Sequence, residues 1–181
     1  TAKEEEILVA EVSSFQLAGT SKYKPHISVI TNITPDHLDY HHTVENYIEA
    51  KFKNVINQDE NDYAILNYED ETIRNHSDKI KAKKIFFSSA RILEDGIFSE
   101  NGQMFYRTGN NKLFIINTKD IFIPGKHNLE NAMAAGGAAI ALGIDIKVIS
   151  KVLREFKGVE HRLEFTGEYK KVKFYNDSKG T

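Results

Sequence analysis

The chain has 181 residues, 40% of them apolar and 28% charged, enough for one domain with a hydrophobic core of its own. A net charge of -2 gives no sign of a surface for nucleic acid or for anionic membranes. The absence of cysteine excludes disulfides, thiolate metal sites and a cysteine nucleophile.

In chain order, residues 7–12, 27–33, 63–67 and 84–87 read as strands and 44–57 as a helix. Their apolar runs are continuous rather than alternating. That predicts strands buried on both faces and a mainly parallel α/β sheet flanked by helices. From residue 96 the pattern changes: 96–98, 103–107, 112–117 and 120–123 are short and alternate. Asn101-Gly102 and Gly109-Asn110-Asn111 lie between them as hairpin signals, so a small accessory antiparallel sheet is expected here. Residues 128–142 and 146–156 have helical periodicity, with Gly143 closing the first helix. Residues 162–166 and 172–175 form a final hairpin, turned by 167–171. No internal repeat or long linker interrupts the chain, which reads as one domain. The longest apolar stretches, 7–10 and the glycine-containing 132–142, are too short to span a bilayer, and no signal peptide opens the chain. A cytoplasmic protein is expected.

Both ends carry information. The sequence begins at Thr1 rather than methionine, and it stops at Asn176-Asp177-Ser178-Lys179-Gly180-Thr181, a polar, ionisable run directly after a predicted strand. Natural termini tend to fray and carry little chemistry. An internal piece of a longer protein, truncated at both ends, is therefore expected.

Several residues can carry chemistry. Glu11 closes the first predicted strand and is followed by Ser13 and Ser14. At the carboxyl end of a strand in an α/β sheet, a carboxylate and two hydroxyls suit a magnesium-bound phosphate; the alternative is an exposed glutamate and a serine turn. The second predicted strand ends in a run holding Asp36, His37, Asp39, His41 and His42. This is either a metal site of the metallohydrolase kind or a polar loop leading into a helix capped by Thr43. Lys51 is the anomaly. The apolar stripe of its helix is Val44, Tyr47, Ile48, Phe52, Val55 and Ile56, and Lys51 falls on that same inward face. Such a lysine snorkels, pairs, or loses its proton. A neutral amine can also take up CO₂ as a carbamate, which makes it a carboxylate-like metal ligand. Asn131 lies in the first turn of the helix after Pro124-Gly125, where Asn128 is a candidate N-cap. Arg162 and Glu164 share a face of the last hairpin and offer a surface ion pair. Asp177, Ser178, Lys179 and Thr181 follow its final strand.

Taken together these stretches stop being independent. Glu11-Val12-Ser13-Ser14-Phe15-Gln16-Leu17, Asn32-Ile33-Thr34-Pro35-Asp36-His37-Leu38-Asp39, Lys51, His127-Asn128 with Asn131, His161-Arg162 and Asn176-Asp177-Ser178-Lys179 occur in the order of the Mur ligase family, which the chain resembles over essentially its whole length. The Ser-Ser-Phe-Gln form is similar to that of the D-glutamate-adding member. The resemblance implies the central ATP-binding domain of a three-domain enzyme over residues 1–176, with 177–181 starting the link to a C-terminal domain. It implies ATP-driven phosphorylation of the carboxylate of UDP-N-acetylmuramoyl-L-alanine, followed by attack of the D-glutamate amine on the acyl phosphate. Glu11, His37 and a carbamylated Lys51 would bind Mg²⁺, with His37, Lys51 and Lys179 the catalytic residues. Asn131, Arg162 and Asp177 would hold the adenine, phosphates and ribose of ATP. Ser13, Gln16 and Asn32 would lie near the muramoyl substrate, and Lys179 and Thr181 near D-glutamate. A monomer is expected.

Two features depart from the family pattern. No Gly-x-x-x-x-Gly-Lys-Ser/Thr phosphate loop is present, so the chain alone is expected to be inactive. His42 stands where a glycine is expected. Other readings are another Mur ligase or a folylpolyglutamate synthase-like enzyme, a histidine-cluster metallohydrolase binding zinc or iron, and a non-catalytic nucleotide-binding module.

Overall fold

The computed structural model describes residues 6–179. Six strands form one sheet in sequence order: β1 (Ile27–Ile30), β2 (Tyr63–Asn67), β3 (Lys83–Ser88), β4 (Gly96–Glu100), β5 (Gln103–Thr108) and β6 (Asn111–Asn117). The pairs β1–β2, β2–β3 and β3–β4 are parallel, while β4–β5 and β5–β6 are antiparallel. A separate two-stranded antiparallel sheet is made by β7 (Glu164–Tyr169) and β8 (Val172–Asn176). The helices are α1 (Ser14–Ala18), α2 (Leu38–His41), α3 (Val44–Phe52), α4 (Glu71–His76), α5 (Lys126–Ala141) and α6 (Ile146–Glu155).

The sheet separates two cores. Ile65 of β2 joins Phe87, Ile97, Met104 and Ile116 in the layer under α5 and α6, which contribute Met133, Ala134, Ile149 and Leu153. On the other face Ala64 and Leu66 meet Tyr47 and Phe52 of α3, Val55 just beyond it, and Ile73 of α4. Ala64, Ile65 and Leu66 are each 0% exposed, so β2 is apolar on both faces, as a parallel strand between two helical layers must be. Helix α5 comes close to the sheet at Gly137, where an added Cβ would fall 2.7 Å from Ile65 Cγ2. α5 ends in a Schellman motif: the Ile144 N–H donates to Ala139 O and the Gly143 N–H to Ile140 O. The expected role of Gly143 is thus met one position past the cap residue, Leu142.

Four expectations need correction. Residues 7–12 form no strand; Ile7, Leu8 and Val9 are 68%, 78% and 90% exposed. An apolar run can be buried, but only a neighbouring ladder makes it a strand, and no described strand pairs with it. The middle hairpins do not form a sheet of their own: β4 pairs with β3 and carries β5 and β6 onto the main sheet. Residues 120–123 are not a strand, because a 3₁₀ turn at Thr118–Asp120, in which Asn117 Nδ2 donates to Asp120 Oδ2, breaks the alternation. Asn128 is not an N-cap. Gly125 takes that position, and Asn128 Nδ2 donates back to Pro124 O at 2.7 Å.

Gly96 opens β4 at φ +118, and an added Cβ would meet Phe86 O at 2.3 Å. Gly109 is also at positive φ, +54, but has nothing within 4 Å of that point. Gly96→Ala is therefore expected to destabilise the chain by about 2 kcal/mol or more, and Gly109→Ala by only about 1 kcal/mol. Urea unfolding of the two variants checks the difference.

Candidate functional site

The carboxyl ends of β1 and β2 are held together by side chains. Asn67 Nδ2 donates to Thr31 O at 2.8 Å. Asp70 caps α4 by accepting the Ile73 N–H and uses its second oxygen to accept the Ile33 N–H at 2.7 Å. This fixes the loop that carries Asn32, whose side chain is exposed.

Beyond that loop three short helices meet. α1 begins with a capping box: Ser13 Oγ accepts the Gln16 N–H, and Gln16 Oε1 accepts the Ser13 N–H at 2.9 Å. His37 precedes α2 in a left-handed conformation, φ +53, with its N–H on Asp36 Oδ1 at 2.7 Å. Thr43 caps α3, as its hydroxyl accepts the Asn46 N–H. His42 holds φ +68, a conformation that favours glycine, the residue its place in the pattern leads one to expect.

Rings connect these helices. Phe15 of α1 lies 4.8 Å from the His37 ring and 5.7 Å from that of His41. His41 stands 5.4 Å from Tyr47, and Lys51 Nζ lies 5.7 Å from the Tyr47 ring centroid. His37 and Lys51 are thus joined through one aromatic cluster, with Ser13 and Gln16 on the adjoining turn. Glu11, two residues earlier, is exposed. Lys51 is half-buried, and among the described residues no carboxylate pairs with it; it lies over the Tyr47 ring rather than in a fully apolar core. Tyr47, placed by sequence in the core stripe, is 6% exposed and also forms the floor under Lys51. A lysine four residues on, over the same face, is the signal that would have marked it.

A second group gathers at the base of the β7–β8 hairpin. Asp177 Oδ1 accepts the Leu163 N–H at 3.0 Å, and the Lys179 N–H donates to His161 O. Arg162, Asp177 and Lys179 are brought to one end of that hairpin. The Arg162–Glu164 ion pair that the sequence offered as an alternative is not formed. Glu164 Oε2 accepts the His161 N–H instead, and among the described residues no carboxylate pairs with the Arg162 guanidinium. Asn131 is exposed on α5, which packs across β1, β2, β3 and β4. Thr181 lies outside the described residues. The histidine run is not a metal cluster: His41 is 5% exposed against Ser14, and no described group of three His, Cys, Asp or Glu could hold an ion.

The Mur ligase middle domain family matches residues 1–139. The chain belongs to the Mur ligase family. It is 48% identical over 177 residues to the UDP-N-acetylmuramoylalanine–D-glutamate ligase of Alkaliphilus oremlandii, covering 98% of this chain and 39% of that protein. The ligase of the same name from a Thermoanaerobacter species is also 48% identical, over 99% of this chain and 40% of its own length. The chain therefore spans about two-fifths of the length of these curated relatives. Among solved structures, MurF from Acinetobacter baumannii superposes with a TM-score of 0.64 at 23% identity, covering 84% of this chain and 34% of that one. At that identity the likeness establishes the Mur ligase fold alone.

Burial raises the Tyr47 pKa above its ordinary value, and the negative charge of Asp36 adds to the effect. A phenol whose pKa is raised on folding contributes stability below its unfolded value, about 10, and that contribution is lost as pH rises through the folded value. The chain is expected to lose stability above about pH 10, and Tyr47→Phe to lessen that loss. Urea unfolding across the alkaline range measures it.

Proposed function

We propose that residues 1–176 are the central nucleotide-handling domain of an ATP-dependent ligase that joins D-glutamate to UDP-N-acetylmuramoyl-L-alanine, with 177–181 leading into a further domain. The observation that carries this reading is the 48% identity, over 98% of the chain, to a ligase named for that reaction. The Ser13-Ser14-Phe15-Gln16 turn supports the same acceptor over those of other Mur ligases.

The chain's own residues divide the work. Gln16 Oε1 is held by the Ser13 N–H, which leaves the Gln16 amide NH₂ as a donor toward the muramoyl substrate, beside Asn32. The exposed Asn131 amide is available to the adenine. The Arg162 guanidinium, with no carboxylate partner among the described residues, neutralises nucleotide phosphate. Asp177 keeps its second oxygen for a ribose hydroxyl while the first holds Leu163. Lys179 is assigned to the incoming D-glutamate, and so is Thr181, which lies outside the described residues.

The substrate carboxylate oxygen attacks the γ-phosphorus and ADP departs. The D-glutamate amine then attacks the acyl carbon, and phosphate leaves as the amide forms. These anions repel one another, so positioning and charge neutralisation supply most of the catalysis. Glu11, His37 and a carbamylated Lys51 would hold a magnesium ion; among the described residues no carboxylate occupies the Lys51 amine, and the carbamate would form by its addition to CO₂ with loss of a proton. When bound, that ion supplies the positive charge that lets phosphate and carboxylate approach.

In the full-length enzyme, Lys51→Ala is expected to lower D-glutamate-dependent ADP release by on the order of 100-fold or more, with partial recovery in high acetate or bicarbonate. A fully active variant would rule out the carbamate. Turnover with diaminopimelate, lysine or a folate in place of D-glutamate would move the reading to another amide ligase.

A further inference from the structure

His41 is a buried ionisable group that the proposed chemistry leaves unused. It is 5% exposed, and its Nε2 shares a 3.0 Å hydrogen bond with the hydroxyl of Ser14, itself 2% exposed. Burying either polar group alone would be costly, so each is the condition for the other. His41 also reaches the third helix of the cluster. Its carbonyl accepts Asn46 Nδ2 at 2.9 Å, and its ring packs on Tyr47.

The partner element explains why such a bond is needed. α1 has five residues, too short to hold its own conformation or orientation in water. Two polar pins fix it: His41 at Ser14 in its first turn, and Lys53 Nζ on Ala18 O at 2.6 Å at its end. Ser13 and Gln16 flank the first pin directly. An aromatic ring without a nitrogen would fill the same space between Phe15, Tyr40 and Tyr47, but would remove the first pin and leave only the one at Ala18.

We infer that His41 is a positioning residue which, through Ser14, fixes α1 on α3 so that Ser13 and Gln16 keep a set relation to the Lys51 amine. This rests on the ligase reading, because it assigns those residues to one reaction. A misplacement of the order of 1 Å between reacting groups costs up to about 100-fold in rate, which is the scale of effect expected.

The test uses the full-length enzyme with His41→Phe, His41→Gln, Ser14→Ala and the double variant Ser14→Ala/His41→Phe. Steady-state kinetics and thermal unfolding are measured on each. His41→Phe is expected to lower kcat by on the order of 10- to 100-fold while KM for ATP stays unchanged. His41→Gln, whose amide nitrogen can reach Ser14 Oγ, should recover most of that loss. Ser14→Ala, which removes one oxygen and endangers the fold least, should match His41→Phe, and the double variant should be no worse than either. Wild-type kcat in His41→Phe or in Ser14→Ala would overturn the role. So would a His41→Gln variant no better than the phenylalanine, or losses that multiply in the double variant. A wild-type enzyme that releases no ADP in response to D-glutamate would refute the ligase reading, and this role with it. The Ser14–His41 bond would then still register as non-additive unfolding temperatures.

Discussion

The rest of the structure depends on β2 being covered on both faces. Ala64, Ile65 and Leu66 are fully buried, and they point alternately into the two cores. A strand of this kind cannot exist until both helical layers are in place. One layer is α5, which comes near enough for Gly137 to stand directly over Ile65. The other is α3 with α4, and α3 also carries Lys51. The proposed chemistry therefore sits on a helix that also packs the core, with Lys51 half-buried beside the core residue Tyr47. Any change in how α3 packs on β2 moves the amine.

The stretch just after α3, residues 53–58, organises the chain before β1. Its polar side chains do not face solvent idly. Lys53 donates to Ala18 O, Asn54 to Val29 O, Asn57 to the carbonyls of Ser21 and Tyr23, and Gln58 to those of Pro25 and Tyr63. Residues 18–26 contain no strand, so their carbonyls need partners from elsewhere, and this stretch of side chains supplies them. At the amino edge of the sheet Lys24 and His26 both meet Asp62, which closes the same loop from below. The irregular segment between α1 and β1 is thus fixed from the stretch after α3 and from the strand ends.

How far this was legible in the sequence depends on whether the deciding interaction was local. β2 was read at its exact bounds because its apolar run and flanking polar residues are contiguous. The Thr43 cap was one of two readings left open for the histidine run, and it is the one that formed. Residues 7–12 were misread because a strand is a property of a pair. The middle hairpins were placed in a sheet of their own because pattern reports alternation, and not which edge a strand joins. At the site, the inward placement of Lys51 followed from helical spacing, and the structure agrees. The Ser14–His41 bond and the freedom of Arg162 could not be read: one spans 27 positions, and the other depends on Glu164 choosing His161.

Backbone strain marks the same places by a different route. Of the non-glycine residues at positive φ, Asn101, Lys170 and Lys171 sit in the two-residue turns of β4–β5 and β7–β8, where a tight hairpin demands that conformation. No hairpin demands it of the other four: His37 at φ +53, His42 at +68, His161 at +66 and Leu163 at +46. Each costs on the order of 1–2 kcal/mol and persists only where surrounding contacts over-determine it. His37 and His42 bracket the single turn of α2, which His41 ties to Ser14 and Asn46. His161 and Leu163 flank Arg162, where Asp177 and Asn176 hold the backbone and the imidazole. The strain therefore lies in the two loops that carry His37 and Arg162, the residues proposed for the metal and for the nucleotide phosphates, and the contacts of Ser14, Asn46, Asn176 and Asp177 are what hold those loops in it.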